Sequence, residues 1–481
     1  MPEIARLDAV GMVEGFRAGT LSPVEVATDI LARIDRFEPD INAFTHVGHK
    51  EALKAAGEAE ARYCAGKALG PLDGVPVTIK DNLAVAGWPN RRGSAISDPS
   101  HAKEDCPVAE KLRAAGCVIL GKTTMPEYGW KGTSDSPLSG NTLNPWDLSR
   151  TTGGSSAGAV AAAALNLGAI HIGTDGAGSI RIPAGFTGVF GIKPTYGHVP
   201  AYPISTMGFL AHLGPLTRTV RDAALAMNVI GRPDPRDMTA SLPVEDYLDG
   251  MEDGVKGLRI AYSPKLGLDV EVHPDIARLV RAAVETFAQL GAEIIEADPD
   301  FADPIAPLMT LWAGGAALAL KGISTSERVK MDPGLVAVAE MGEGISAASY
   351  VDALLYQRNA LAARMEAFHA RYDLLLSPTL PLPAFEAGRL TPAHGRYGED
   401  WTRWTPFTYP FNLTQQPAAS IPCGLTAEGL PAGLQIVGAF GADRLVLRAA
   451  RAFETVSALP RLSTPRRLGR NEADYVSSTV Q

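Results

Sequence analysis

The feature that most constrains this chain is a helix–turn–strand unit that recurs along it. In CPVAEKLRAAGCVILGKTTM (106–125) a stretch with helical spacing ends at Gly116, and an apolar run follows as a strand. An Ala-rich helix (157–167) likewise precedes a strand (169–174). Strands at 258–263 and 292–297 flank a helix at 274–290. This order of elements buries a sheet beneath helices, so the chain is expected to be α/β. With 481 residues it can bury a deep core and still hold a cavity. No repeat, low-complexity linker or composition break divides it, so one domain over residues 1–481 is expected.

The remaining elements are read in the same way. Ser22-Pro23-Val24-Glu25 forms a capping box with proline at the first helical position. Val26, Ile30, Ile34 and Phe37 then repeat at helical spacing, and Pro39 is expected to close the helix. A second helix is expected over 49–66. In PLDGVPVTIKDN (71–82), Val75, Val77 and Ile79 alternate as in a strand. Pro76 confines that strand to a sheet edge or places the proline at the strand's start. Lys80 ends it, before the turn Asp81-Asn82. A strand is expected near 189–193, one long helix over 345–371, and a buried strand leaving into a proline-rich loop over 372–385. Residues 418–422, 432–438 and 443–457 read as strand, strand and helix.

Several function classes are disfavoured. The net charge is −9, without the basic face of a nucleic-acid binder. The densest basic run, PRRLGR (465–470), reads as a solvated tail. No run approaches the roughly 18 apolar residues that span a bilayer, so no membrane association is expected. MPEIARLDAV lacks the apolar centre of a secretory signal. Cys64, Cys106, Cys117 and Cys423 show no paired spacing, which fits free thiols and a cytoplasmic location. Gly116 to Thr123 matches the phosphate-loop pattern letter for letter, yet a helix precedes it and Cys-Val-Ile-Leu fills the place of a flexible loop. Gly176-Ala-Gly178 lacks the third glycine of a dinucleotide loop, since Arg181 stands there. His46 and His49 have no third metal ligand nearby and read as a surface pair.

Chemistry concentrates in two Gly/Ser segments, Gly153-Gly-Ser155-Ser-Ala-Gly158 and Gly173-Thr-Asp175-Gly-Ala-Gly-Ser179-Ile-Arg181. Glycines let successive N–H groups converge, and such a nest suits an oxyanion. A serine beside the nest could attack a carbonyl held in it, given a base. No histidine sits in a triad motif and Gly-x-Ser-x-Gly is absent, so lysine is the alternative base. It must be neutral, hence buried. Lys80 ends an apolar strand and fits. On the residues alone, both segments also fit plain tight turns, and Lys80 a solvated strand end.

Taken together these segments resemble the amidase signature family. The resemblance rests on GGSSAG and DGAGSIRIPA within 153–195, and on GVPVTIKDN (74–82), GKTTMPEYG (121–129), NPWDLSRTTGGSS (144–156), LGPLTRTVRDAA (213–224) and GLPAGLQIVG (429–438). It covers most of the chain, with the signature core at about 74–200. It implies a large mixed, twisted β-sheet sandwiched between α-helical layers. It further implies an amide hydrolase in which Ser179 is the nucleophile, Ser155 the bridging serine after a cis peptide bond from Gly154, and Lys80 the base. The backbone N–H groups of Gly176, Ala177, Gly178 and Ser179 match the oxyanion hole. Asp175 and Arg181 match bracing positions, and Gly154, Met125 and Tyr128 match substrate-facing ones. A small-molecule amide is the implied partner, with no metal or cofactor. Homodimers are frequent in the family, and no residue here requires one.

Two departures bear on function. Ala177 stands where glycine is common. The stretch WTRWTPFTYPFNL (401–413) carries Thr405 where the glutaminase (A) subunit of glutamyl-tRNA amidotransferase carries an aspartate, which favours a stand-alone amidase over that alternative. A catalytically silent binding protein is the third reading, and the intact Lys80, Ser155 and Ser179 argue against it. Trp401, Trp404, Phe407, Tyr409 and Phe411 form a late aromatic cluster. It is read first as core and second as the wall of an acyl pocket.

Overall fold

The computed structural model describes residues 4, 7–240, 242–393, 397–457, 460–462, 464–466 and 475–476. Of the basic run at 465–470, residues 467–470 lie outside the described residues.

One 11-stranded sheet organises the molecule. In spatial order its strands are Phe44–Val47, Val118–Thr123, Pro76–Lys80, Ile170–Asp175, His212–Thr217, Phe190–Lys193, Ala418–Leu425, Pro431–Gly438, Leu374–Pro378, Arg259–Tyr262 and Glu293–Glu296. Pro76–Lys80 runs parallel to both neighbours, as does Arg259–Tyr262, and the other pairs are antiparallel. The sheet is therefore mixed.

Alternation along the strands feeds two cores. Leu374 and Leu376 enter one apolar cluster and Leu375 the other, while Ile260 and Tyr262 oppose Ala261 in the same way. Each leucine so buried contributes about 2 kcal/mol. The first cluster is closed by helices Ala9–Ala18, Pro23–Ile41, Val220–Ile230, Pro274–Gln289 and Asp443–Val456. The second is closed by Arg181–Thr187, Ile305–Ala319, Pro333–Glu343 and Arg358–His369. The sheet thus lies between helical layers, as the resemblance implied. No helix among the described residues is long and apolar enough to cross a membrane.

Two local readings change, at Pro39 and over 345–371. Pro39 does not close its helix, which runs to Ile41. The proline sits in the last turn. Asn42 then ends the helix in a left-handed conformation, and the Glu38 carboxylate accepts the Ala43 and Phe44 N–H groups. Pro76 stands at the start of its strand, one of the two places expected for it, and the strand is central; the Pro76 carbonyl accepts the Ala169 N–H at 2.9 Å. A first helix at Ala9–Ala18, capped by Asp8, carries no strong sequence signal. The helix over 345–371 is three pieces, with a π-helical stretch Asp352–Gln357 between Ala347–Val351 and Arg358–His369. Residues 118–123, inside the phosphate-loop look-alike, form a buried strand.

Candidate active site

Pro76–Lys80 and Ile170–Asp175 are parallel neighbours, with Ile79 opposite Ile172. Their carboxyl ends therefore emerge together, the usual place for a site in an α/β sheet. The Lys80 amine is fully buried and donates to Ser155 Oγ at 2.7 Å, Thr174 Oγ1 at 2.9 Å and Ser156 Oγ at 3.1 Å. Burial drives its pKa well below the ordinary lysine value, and the Asp175 charge opposes the shift. A lysine ringed by hydroxyls and no carboxylate is set up to be neutral.

The two Gly/Ser segments are joined through Ser156, whose N–H donates to the Ser179 carbonyl at 3.1 Å and whose Oγ donates to the Thr174 carbonyl at 3.2 Å and accepts the Thr174 N–H at 3.3 Å. The Gly154–Ser155 peptide bond is cis. Helix Ala157–Ala164 follows directly and packs so closely that a Cβ on Gly158 would lie 2.0 Å from the Ala43 carbonyl oxygen.

Asp175 ties down the second segment. Its carboxylate accepts N–H groups from Gly178 at 2.7 Å, Ile180 at 3.2 Å and Arg181 at 3.4 Å, and the Arg181 guanidinium at 3.0 Å. Burial works to raise the Asp175 carboxyl, but the Arg181 charge and hydrogen bonds hold it below the usual carboxylate range. Arg181 in turn donates to Thr408 carbonyl, Gln435 Oε1 and Asn412 Oδ1 at 2.6–2.9 Å. Thr408 Oγ1 donates to the Ala177 carbonyl at 2.7 Å. The Gly178 N–H, read from the sequence as an oxyanion donor, is therefore turned to Asp175. Among the described residues no acceptor holds the N–H groups of Gly176, Ala177 and Ser179.

Ser155 and Ser179 share a cavity of about 160 Å³ with Gly176, Thr174, Asn82, Arg92, Tyr128, Tyr202 and Trp312. Two sequence-assigned substrate residues are not in its wall. A Cβ on Gly154 would strike the Thr133 carbonyl at 2.1 Å, so Gly154 faces backbone. Met125 lies behind Gly129, its methyl 3.3 Å from where a Gly129 Cβ would be. Tyr128 does line the cavity. None of the five late aromatics lines it, and Trp404 stacks on Phe186 with ring centroids 5.8 Å apart, so the core reading of that cluster holds. The rings of His46 and His49 have separate partners, Trp88 and Asp35.

A family model described as Amidase matches residues 25–447. The chain belongs to the amidase signature family. An amidase signature enzyme hydrolyses amide C–N bonds other than peptide bonds, and that is the chemistry of this chain. An acylamidase of Rhodococcus erythropolis is 37% identical over 94% of this chain and 95% of its own length. The glutamyl-tRNA(Gln) amidotransferase A subunit of Anaeromyxobacter sp. (strain K) is 35% identical over 94% and 96%. The crystal structure of a bacterial aryl acylamidase of the family superposes with a TM-score of 0.86 at 31% identity, covering 94% and 96%.

Within this amidase site, sequence reasoning missed Ser156 and Thr174, two of the three hydroxyls on Lys80. Both sit inside the quoted motifs, so adjacency to Ser155 and Asp175 was the available signal. It also missed Trp312 and Arg92, which arrive from outside every motif.

Proposed function

We propose that Ser179 is the nucleophile, Ser155 the proton relay and Lys80 the base of amide hydrolysis, and that residues 1–481 act as one amidase domain. Neutral Lys80 takes a proton from Ser155 as Ser155 takes one from Ser179. Ser179 Oγ bonds to the amide carbon, and the carbonyl electron pair moves onto oxygen. The N–H groups of Gly176, Ala177 and Ser179 receive that oxyanion. As it collapses the C–N bond breaks, and the proton held at Lys80 returns through Ser155 to the leaving amine. Water then adds to the ester, the acid departs, and Ser179 regains its proton. Asp175 and Arg181 are positioning residues for the loop.

The observation that most supports this reading is the 2.7 Å contact of buried Lys80 with Ser155 beside the cavity that holds Ser179. The test is amine or ammonia release over aliphatic, aryl-acetic and anilide amides and glutamine. Ser179→Ala is expected to lose turnover on every amide the wild type cleaves. Undiminished turnover in that variant would remove Ser179 from the role.

A glutaminase role within an amidotransferase is the second reading, favoured by the amidotransferase relative. Against it, Thr405 is buried, donates to the Thr402 carbonyl at 3.1 Å and does not line the cavity. Activity on glutamine alone would choose that reading.

A further inference from the structure

The charge of the cavity wall carries an inference about the substrate. Among the described lining residues there is no Asp, Glu, Lys or His, and Arg92 is the one cationic side chain. Its neighbour Arg91 is occupied, donating to the Ala95 carbonyl and Ser97 Oγ. No carboxylate lies within ion-pair distance of Arg92 among the described residues. A half-buried guanidinium facing a carboxylate-free cavity lacks a counter-charge, and burying charge without one is costly.

The chain also goes to some length to present this residue. The Asp81 carboxylate accepts the N–H groups on either side of it, from Arg91 at 3.4 Å and Gly93 at 3.2 Å. Asp81 is itself held 3.6 Å from the buried Lys122 amine, so its charge is already paired. The Arg92 carbonyl accepts the Tyr128 N–H at 2.8 Å. Arg92 and Tyr128 both adopt left-handed backbone, at φ 55° and 51°, which non-glycine residues seldom do. Burial pushes the Tyr128 hydroxyl up, and the Arg92 charge opposes that shift.

We infer that Arg92 binds an anionic group of the substrate, so that the preferred amides carry a carboxylate. A planar guanidinium can grip a carboxylate through two parallel hydrogen bonds. The inference rests on the proposed amidase site and names the substrate class that site takes.

The probes are 4-acetamidobenzoate and succinamate, each beside its neutral methyl ester. Wild-type enzyme is expected to prefer the acid in kcat/KM, chiefly through KM. In Arg92→Gln the acid-to-ester ratio should fall about 10- to 100-fold, the worth of a charged hydrogen bond. Arg92→Lys should restore part of it. An unchanged ratio in Arg92→Gln overturns the inference. The same four compounds titrated into Ser179→Ala read binding without turnover. There too, loss of the acid's advantage when Arg92→Gln is added to Ser179→Ala supports the inference, and equal binding of acid and ester by both proteins overturns it. If Ser179→Ala still turns over amides, the nucleophile assignment fails while the Arg92 result stands by itself.

Discussion

At the scale of single residues, the site depends on which protons are free to move. Lys80 is legible from the sequence as the residue that ends an apolar strand inside a family motif, while its burial is a fact of the fold, since the strand alone fits a solvated end equally well. The hydroxyls around it suit it to the proposed role of base, since they hydrogen-bond the amine without supplying the negative charge that would keep it protonated. Its pKa is lowered, so the neutral amine is present above the depressed value and is lost as pH falls through it. The rate constant kcat/KM should therefore rise with pH and level off below the ordinary lysine value of about 10.4. Lys80→Ala should cut the plateau about 100- to 10,000-fold. Wild-type rates in that variant at neutral pH would disprove the relay. The same shift bears on stability. Between the lowered and the ordinary value the unfolded chain binds more protons at this position, so its contribution makes stability rise with pH. The Gly178 N–H shows where residue-level reading stops. A glycine nest says that donors converge but not which one a carboxylate will claim, and Asp175 claims this one from three residues away.

At the scale of elements, what was legible followed periodicity, and what was not followed tertiary contact. The helices Pro107–Ala114 and Pro274–Gln289 were readable because each buries a regular face, and the strands Val118–Thr123 and Leu374–Pro378 because each opens on an apolar run buried on both sides. The helix Ala9–Ala18 and the π-helical break at 352–357 were not, since neither interrupts its local pattern strongly. Helix Ala157–Ala164 gives the sharpest test of the difference. Propensity alone says that alanine at Gly158 should add about 1 kcal/mol to the helix. Packing says the reverse, because the new Cβ would stand 2.0 Å from the Ala43 carbonyl oxygen and 2.5 Å from Thr124 nitrogen, neither able to swing aside. Gly158→Ala should thus destabilise the protein by about 1–3 kcal/mol, the typical cost of overpacking. Denaturant titration would read it, and because the helix follows Ser155 and Ser156 directly, turnover should fall as well. A stabilised, fully active variant would mean that the helix can slide without disturbing the serines.

At the scale of the whole molecule, the site is a meeting of distant segments rather than a local motif. The fold class and the three central residues could be read in 74–200, yet the loop that carries Ser179 is fastened by Thr408, Asn412 and Gln435 from a turn, a short helix and a strand more than two hundred residues away. Pro431–Gly438, which carries Gln435, pairs with Leu374–Pro378 and Ala418–Leu425, so this fastening joins the two halves of the sheet. Arg181 is fully buried and salt-bridged to Asp175, and opening its loop would leave one of two charges unpaired, at a cost of about 3–5 kcal/mol. A penalty of that size approaches the stability of an ordinary domain, so the loop should not open on its own. A fluorophosphonate, which labels an activated serine covalently, turns this into a measurement. Across a guanidinium titration, labelling of Ser179 should vanish at the same midpoint as the tryptophan fluorescence change, Trp312 and Trp404 reporting the core. Labelling that disappears at clearly lower denaturant would show that the catalytic loop melts ahead of the sheet and that its long-range anchors are weak. In Asn412→Ala, which removes one anchor of Arg181 together with three bonds to Asp175 and Leu210, the two midpoints should separate, with labelling lost first.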